Sequence, residues 1–138
     1  MSELVRFGVS LEKGLLHRFD DLIESRGYAT RSEALRDLIR QELVKQEWEN
    51  DQEVAGTITF IYDHHQRGLS SRLTDIQHDH QDIIISTQHI HLDHHNCLEI
   101  VAVRGRASGV QELADSLRSV KGVRHGALSM TSTGKAIE

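Results

Sequence analysis

The segment from His89 to Cys97 carries the side chains of this chain that are best suited to bind a metal. His89 and His91 are two positions apart, and Cys97 is the only cysteine of the protein. Residues two apart in an extended strand point to the same face, so the two imidazoles would lie side by side. Imidazole nitrogen together with thiolate sulfur suits nickel, copper or zinc and does not suit magnesium or calcium. The segment therefore predicts a transition-metal site.

A polar run follows His91 and predicts a hairpin turn between two strands. Cross-strand partners share a face, so His91 and Cys97 lie opposite each other only if the loop has an odd number of residues. The five residues 92–96 provide such a loop, and the same register places His89 opposite Glu99. A symmetric four-residue turn would instead put Cys97 on the apolar side of the hairpin.

Apolar residues alternate with the candidate ligands along both strands of the hairpin. The apolar face consists of Ile90, Leu92, Leu98, Ile100 and Ala102. The side chains off that face are those of His89, His91, Cys97 and Glu99. This separation favours a metal site over the alternative, which is a buried structural cysteine beside two solvated histidines.

Histidine is the compositional anomaly of the chain. There are ten histidines, and eight of them fall between residues 64 and 95. Ordinary roles fit four of the ten: His94 and His95 as exposed turn residues, His17 on a helix surface, and His125 in a strand or interface. The clustering of the others supports metal chemistry.

Composition predicts a globular protein of the cytoplasm. The 138 residues are 38% hydrophobic, enough for one ordinary domain or two small ones. No apolar run approaches the roughly 20 residues of a membrane span, and the first residues lack the apolar core of a signal peptide. A lone cysteine cannot form an internal disulfide, so we expect the reducing environment of the cytoplasm. The formal net charge of −5 argues mildly against a nucleic-acid binder.

The first 50 residues predict a strand followed by two helices. Apolar residues alternate over residues 4–11 as in a half-buried strand, and they then recur at helical spacing up to Gly27. Thr30 or Ser32 is placed to cap the second helix, and Thr30 has capping-box spacing to Glu33. The polar run 46–53 is a linker or a frayed helix end. A unit of 1–50 would bury little apolar surface alone, so we expect it to dimerise. Trp48 is interpreted as a packing anchor.

The remaining residues, 51–138, predict a second domain with the order β-α-β-β-α-β, which is the ferredoxin-like arrangement. The four predicted strands are 54–62, 83–92, 97–104 and 123–131. The two predicted helices are 66–80 and about 110–120. The fold class is therefore α+β, with a small β-α-α domain joined to a ferredoxin-like domain.

The two halves together resemble one known family, the nickel-responsive transcriptional regulators called NikR. In the first half the resemblance is carried by Arg26-Gly27-Tyr28 and by the run from Arg31 to Asp37. In the second half it is carried by Ser86 to His91, by Asp93 to Glu99 and by Gly122 to Gly126. The resemblance implies an N-terminal ribbon-helix-helix domain, which binds DNA and dimerises, and a C-terminal ACT-like domain, which binds metal and forms a tetramer.

The resemblance also implies a nickel site shared between subunits. His89, His91 and Cys97 would come from one subunit and His78 from a neighbouring subunit, with one Ni(II) per subunit. Three imidazoles and one thiolate in a plane suit the square-planar preference of Ni(II). Glu99 would fix the orientation of an imidazole or of a structural water. Some relatives carry a longer histidine run after Gln77; here an additional metal site built from His64, His65 and His80 stays open.

In the family, three strand residues face the DNA and two acidic residues help to hold a cation between the domains. By motif the DNA-facing residues are Arg6, Gly8 and Ser10, and Gly8 removes one side chain that could read a base edge. Glu33 and Asp37 match the cation positions, and the alternative for them is a solvated acidic helix face.

The leading hypothesis is a nickel-dependent regulator that binds double-stranded operator DNA as a homotetramer, a dimer of dimers, and represses nickel-uptake genes. The alternative is a cytoplasmic nickel or copper storage or delivery protein that does not bind DNA, and the acidic net charge supports it. A metallohydrolase ranks last, because four protein ligands leave no open coordination position. The chain is therefore not expected to be an enzyme.

Overall fold

The structure is a computed structural model in which residues 3–138 are described, and the chain forms two compact units. The first comprises the chain up to Leu43 together with Glu138, and the second comprises Val44–Ile137. The expected boundary between residues 50 and 51 stays a prediction. No helix among the described residues is long and apolar enough to cross a membrane.

The first unit contains α1, which is Lys13–Arg26, and the greater part of α2, which is Arg31–Glu49. Residues 3–12 have no strand assignment, so the strand predicted over 4–11 is not formed within a single chain. The physical reason is that a strand needs a hydrogen-bonded neighbour, which an antiparallel ribbon would take from a second copy. The polar run 46–53 begins as the end of α2 and is not a linker throughout.

The caps of these two helices follow the sequence prediction. Gly27 ends α1 in the left-handed region, with φ of 76°, and the Tyr28 N–H donates to the carbonyl oxygen of Ile23 at 3.1 Å. At the start of α2, the Glu33 N–H donates to Oγ1 of Thr30 at 3.1 Å. The turn between the helices is therefore fixed by local chemistry.

The first unit buries very little of its apolar surface. None of the residues of α1 is buried, and Ala34 of α2 is the one buried hydrophobic residue described before residue 44. The exposed large apolar side chains of this unit are Leu4, Val5, Phe7, Val9, Leu11, Leu15, Ile39 and Leu43. A unit this small gains most from burying such residues against a second copy, as the prediction of dimerisation requires.

The second unit is a four-stranded antiparallel sheet with two helices. Its elements are β1 (Glu53–Asp63), α3 (Leu69–Asp79), β2 (Ile84–His91), β3 (Asn96–Arg106), α4 (Ala107–Arg118) and β4 (Val123–Thr131). The strand order is β2-β3-β1-β4, with β1 paired antiparallel to both β3 and β4. This is the predicted ferredoxin-like arrangement, so the fold class is confirmed.

The core lies between one face of the sheet and the two helices. Phe60 and Ile58 of β1 are fully buried there, as are Leu73 of α3 and Leu113 of α4. Trp48 packs against the same core, and its Nε1 donates to the carbonyl oxygen of Thr131 at 2.9 Å. Trp48 is therefore a packing anchor, as the sequence indicates.

The helices cover the face of β3 that carries Cys97 and Glu99, and not the face that the apolar alternation suggests. Cys97 and Glu99 lie on the helix-covered face, in register with Tyr62 and Phe60 of β1. Leu98 and the other residues of the apolar alternation are half-buried on the opposite face of the sheet. Both faces of this strand carry apolar residues, so alternation alone does not identify the face that the helices cover.

Candidate metal centre

The hairpin of β2 and β3 has the register that a five-residue loop requires. His91 is paired with Cys97, and His89 is paired with Glu99, as predicted. Oδ1 of Asp93 accepts the N–H groups of His95 at 2.9 Å and Asn96 at 2.8 Å. The side-chain amide of Asn96 also donates to this carboxylate. The Asn96 side-chain bond is the largest cause, and together with the two backbone bonds it lowers the pKa of Asp93 to about 2. The turn is thus held by an ionised carboxylate, which fixes the register.

The thiol of Cys97 lies between two imidazoles. Its Sγ is 3.1 Å from Nδ1 of His64 and 3.6 Å from Nδ1 of His91. The side chain is only 3% exposed. Burial, followed by the negative charges of Asp63 and Glu99, raises the pKa of Cys97 above its usual value. The sulfur is therefore a protonated thiol until a cation offsets these two effects.

His89 is oriented by two buried partners. Its Nδ1 lies 3.3 Å from the hydroxyl of Tyr62, and its Nε2 lies 3.4 Å from Oε1 of Glu99. Burial raises the pKa of Tyr62 to about 12, with the charge of Glu99 as the second cause. The phenol therefore stays protonated at neutral pH, and the ring of His89 is held between a hydroxyl and a carboxylate.

Glu99 is the centre of a buried polar network under the hairpin. Its Oε1 accepts a hydrogen bond from Nε2 of Gln77 at 2.9 Å, and Oε1 of Gln77 accepts one from Thr87 at 3.1 Å. Oε2 of Glu99 is buried and has no hydrogen-bond partner among residues 3–138. A buried carboxylate with an unused oxygen is costly unless a positive charge lies nearby, so this network favours a bound cation.

A cavity of about 220 Å³ lies next to these side chains. It is lined by Tyr62, His64, Ser70, Leu73, Thr74, His89, His91, Cys97 and Glu99. All candidate ligands predicted from the hairpin are among the lining residues. Two or three imidazole nitrogens, one sulfur and one buried carboxylate form a donor set that fits nickel, copper or zinc.

His64 is the one candidate ligand at this centre that the hairpin motif does not include. Its ligating atom lies within 4.8 Å of those of His91 and Cys97, and the three form one group of candidate ligands. A signal for it existed, since Tyr62 of β1 pairs with Cys97 and His64 follows Tyr62 by two positions, just beyond the end of β1 at Asp63. That signal depends on the β1–β3 register, which the sequence does not supply.

The other two histidine predictions concern His78 as the fourth nickel ligand and His80 as part of an additional metal site. His78 is exposed on α3 and does not line the cavity, so its role as a ligand stays a prediction. His80 joins neither group of three or more candidate ligands found within residues 3–138. Its Nδ1 instead donates to the carbonyl oxygen of Ile76 at 2.9 Å. The structure therefore does not unite His80 with His64 and His65.

In the first unit, the acidic pair of α2 already has protein partners. Asp37 accepts hydrogen bonds from the hydroxyl of Tyr28 and from Nε2 of Gln41, the latter at 2.9 Å. Glu33 accepts one from the Ala29 N–H at 3.3 Å. The cation site at Glu33 and Asp37 stays a prediction, and so does the DNA contact of the exposed residues Arg6, Gly8 and Ser10.

Comparison with protein families gives two matches that follow one another along the chain. Residues 55–131 match the family described as the NikR C-terminal nickel-binding domain. Residues 5–46 match the ribbon-helix-helix proteins of the CopG family. The first match covers the sheet, both helices of the second unit and the whole candidate metal centre.

Several curated proteins are similar over nearly their whole length, and their names describe them provisionally as nickel-responsive regulators. One from Syntrophus aciditrophicus is 62% identical over 135 residues, which is 98% of each chain. One from Nitratidesulfovibrio vulgaris is 57% identical over 136 residues, again 98% of each chain. One from Geobacter sulfurreducens is 56% identical over 138 residues, or 99% of each chain.

Among solved structures, an uncharacterized protein from Thermotoga maritima has a similar fold. The alignment has a TM-score of 0.50 with 10% sequence identity, and it covers 56% of this chain and 98% of that one. At this identity the likeness concerns the fold alone.

Proposed function

This chain belongs to the NikR family of nickel-responsive regulators, and on that premise we propose that it represses nickel-uptake genes when nickel is bound. The protein would act in the cytoplasm as a regulator and not as an enzyme. The observation that carries the metal part of the proposal is the buried thiol of Cys97, which faces His91 across the hairpin and lies beside a cavity.

In the proposed nickel site, three residues of the second unit bind the metal and Glu99 orients one of them. His89, His91 and Cys97 supply two imidazoles and a thiolate from one subunit. Glu99 would hold His89 through Nε2 and compensate the charge of the cation, and the metal would bind Nδ1 of His89 in place of its contact with the Tyr62 hydroxyl. When bound, Ni(II) would supply a planar, strongly bonded link between these groups.

The fourth ligand is proposed to be His78 of a neighbouring subunit. This residue lies outside the cavity lining in its own chain and is exposed on α3, where a second chain could meet it. Gln77, its neighbour in sequence, is hydrogen-bonded to Glu99 of the same chain. We propose one nickel ion per subunit of a homotetramer, and a second cation at Glu33 and Asp37.

The first unit is proposed to bind operator DNA through residues 3–12 of two chains. Paired as an antiparallel ribbon, these residues would bury Phe7 and its apolar neighbours and turn Arg6 and Ser10 toward the major groove. Phe7 is 71% exposed in the single chain. Pairing would bury this apolar surface and remove the free-energy cost of exposing it to water. Nickel would favour one arrangement of the DNA-binding dimers, which requires different nickel affinities in the two states.

A mobility-shift assay on the promoter beside the protein's own gene tests this function. Binding should need nickel, weaken as salt rises, and disappear in Cys97→Ala at the same nickel concentration. Binding that is equal with and without nickel would remove the proposed regulation.

The alternative, nickel or copper storage or delivery without DNA binding, is favoured by the formal net charge of −5. It predicts nickel binding by the parent protein but no shift of any promoter fragment, so the same assay separates the two functions.

A further inference from the structure

Gly8 interrupts the polar face of the N-terminal segment that is proposed to bind operator DNA. Arg6 and Ser10 carry hydrogen-bonding side chains on that face, and Gly8 between them carries none. A Cβ at Gly8 would meet nothing within 4 Å, so no neighbouring group of the described chain requires a glycine there. The backbone does not require one either, since Gly8 is not among the glycines with positive φ. The glycine therefore matters for what it omits from the DNA-facing surface.

The register of a ribbon between two copies follows from the apolar residues on its other face. These residues are exposed in the single chain and are Val5, Phe7, Val9 and Leu11. Cross-strand partners share a face, so an antiparallel ribbon pairs odd-numbered residues with odd-numbered residues. Only one such register pairs all four apolar residues with one another, and it sets residue 5 opposite residue 11 and residue 7 opposite residue 9 of the second copy.

The neighbouring registers bury less apolar surface. A shift of the pairing in one direction places Leu11 opposite the carboxylate of Glu3. A shift in the other direction places Val5 opposite Lys13, which is already the first residue of α1. A charged partner cannot bury an apolar side chain without losing its own hydration, and a helical residue cannot pair as a strand. The favoured register puts the two-fold axis at residue 8, so Gly8 of one copy faces Gly8 of the other.

Two glycines at the axis leave a gap in the middle of the DNA-facing surface. In this register Arg6 lies opposite Ser10 of the second copy, so the side chains that can read bases are confined to the two ends of the ribbon. A strand rises about 3.3 Å per residue, which puts the two ends roughly 13 Å apart along the ribbon. Base pairs follow one another at about 3.4 Å, so the two ends meet base pairs roughly four steps apart.

We propose, on the basis of the function proposed above, that Gly8 sets the sequence specificity of this regulator by leaving the central base pairs of each operator half-site unread. Arg6 at each end can bond a guanine through two N–H groups, whereas a glycine offers no side-chain donor, acceptor or methyl group to a base edge. The central base pairs are then selected only through the shape and deformability of the DNA.

The alternative role for a glycine in a strand is to let another backbone approach closely. If Gly8 served only such an approach to the DNA, any side chain there would lower the affinity for every DNA sequence by the same factor. A gap has a different consequence, because a side chain added at Gly8 would reach the central bases and change the ranking of DNA sequences. Threonine suits this test, since it favours strands and its methyl group can contact the methyl group of thymine.

The test is the DNA affinity of the nickel-loaded full-length protein at fixed salt, on the promoter fragment and on each of its single base-pair substitutions. The parent should show two sensitive positions roughly four base pairs apart in each half-site, where a substitution weakens binding about 5- to 150-fold. Substitutions between these positions should change the affinity less than about threefold. Gly8→Thr should create a preference of about fivefold or more for A·T base pairs at the central positions.

The matched control is Gly14→Thr, which adds the same side chain at another exposed glycine of the first unit. Gly14 lies in α1, and a Cβ there also meets nothing within 4 Å, so this variant should keep the sequence profile of the parent. Sensitive central positions in the parent, or a uniform loss of affinity in Gly8→Thr with an unchanged profile, would overturn the proposal while the regulatory function stands. Absence of nickel-dependent DNA binding by the parent would instead overturn both.

Discussion

Nδ1 of His64 lies 3.1 Å from Sγ of Cys97, closer than the 3.6 Å between that sulfur and Nδ1 of His91. The buried thiol therefore has one more imidazole beside it than the hairpin motif supplies. Either His64 is a ligand, or it positions the thiol while His78 of another chain completes the site. The first prediction separates these two roles.

We predict that Cys97→Ala removes tight nickel binding while the fold is retained, because the sulfur is the one anionic ligand and no other cysteine can replace it. His78→Ala should weaken nickel binding about 100-fold or more, and His64→Ala by less than about tenfold. Nickel titrations in competition with a chelator of known affinity give the order, because Cys97→Ala has no thiolate absorption to follow. A larger loss in H64A than in H78A would assign the fourth ligand to His64.

The second unit alone should fold, form a tetramer and bind nickel. A fragment that begins at Val44 should be more stable than one that begins at Val54, because only the longer one contains Trp48, which packs on the core, and Asp51, which accepts the N–H of Ser108. The expected difference is about 1.5–3 kcal/mol, the combined value of one partly buried large side chain and one hydrogen bond. Urea unfolding measures it, and sedimentation gives the oligomeric state. A monomer with full nickel affinity would contradict the role proposed for His78.

Arg6→Ala should abolish operator binding without changing nickel affinity. Loss of an arginine contact to guanine costs roughly 1–3 kcal/mol, and two-fold symmetry repeats the loss in each ribbon. The acidic chain offers little nonspecific attraction to DNA that could compensate. DNA affinity at fixed salt and saturating nickel is the measurement. Arg72→Ala, which removes an exposed arginine of α3, serves as the control.

Two glycines of the second unit should respond to alanine in opposite directions. A Cβ at Gly56 would lie 2.5 Å from the backbone oxygen of Ser129, so β4 would have to shift and Gly56→Ala should destabilise the sheet. A Cβ at Gly109, inside α4, meets nothing within 4 Å. Gly109→Ala should therefore stabilise by roughly 0.5–1 kcal/mol. Thermal unfolding of both variants tests the sign.

Asp51 should make stability depend on pH in the acid range. Its Oδ1 accepts the N–H of Ser108 at the start of α4, which lowers the pKa of Asp51 below the ordinary value of 3.8. Its contribution is therefore present above pH 3.8 and is lost as pH falls through the lowered pKa. Asp51→Asn should be less stable than the parent at pH 7, and the difference should shrink below about pH 4. A constant difference would rule out this charge effect.

Local patterns predicted much of this fold because the chemistry that sets it is local. Gly27 and Thr30 cap their helices as the sequence indicates, and the His91–Cys97 register follows from loop length. The placement of His64 beside Cys97 was not predictable, because it depends on how β1 and β3 pair across more than thirty residues of chain. The N-terminal strand is absent for a different reason, since a strand needs a hydrogen-bonded neighbour and residues 3–12 have none within the described chain.

Trp48 is the only tryptophan in the chain, and its indole N–H donates to the carbonyl oxygen of Thr131 at the end of β4. The two tyrosines are divided between the units, with Tyr28 in the first and Tyr62 in the second. Tryptophan emission therefore comes from the second unit alone. Unfolding of the metal-binding unit can thus be followed by the fluorescence of Trp48 without an added label. The DNA-binding unit contributes no tryptophan emission of its own.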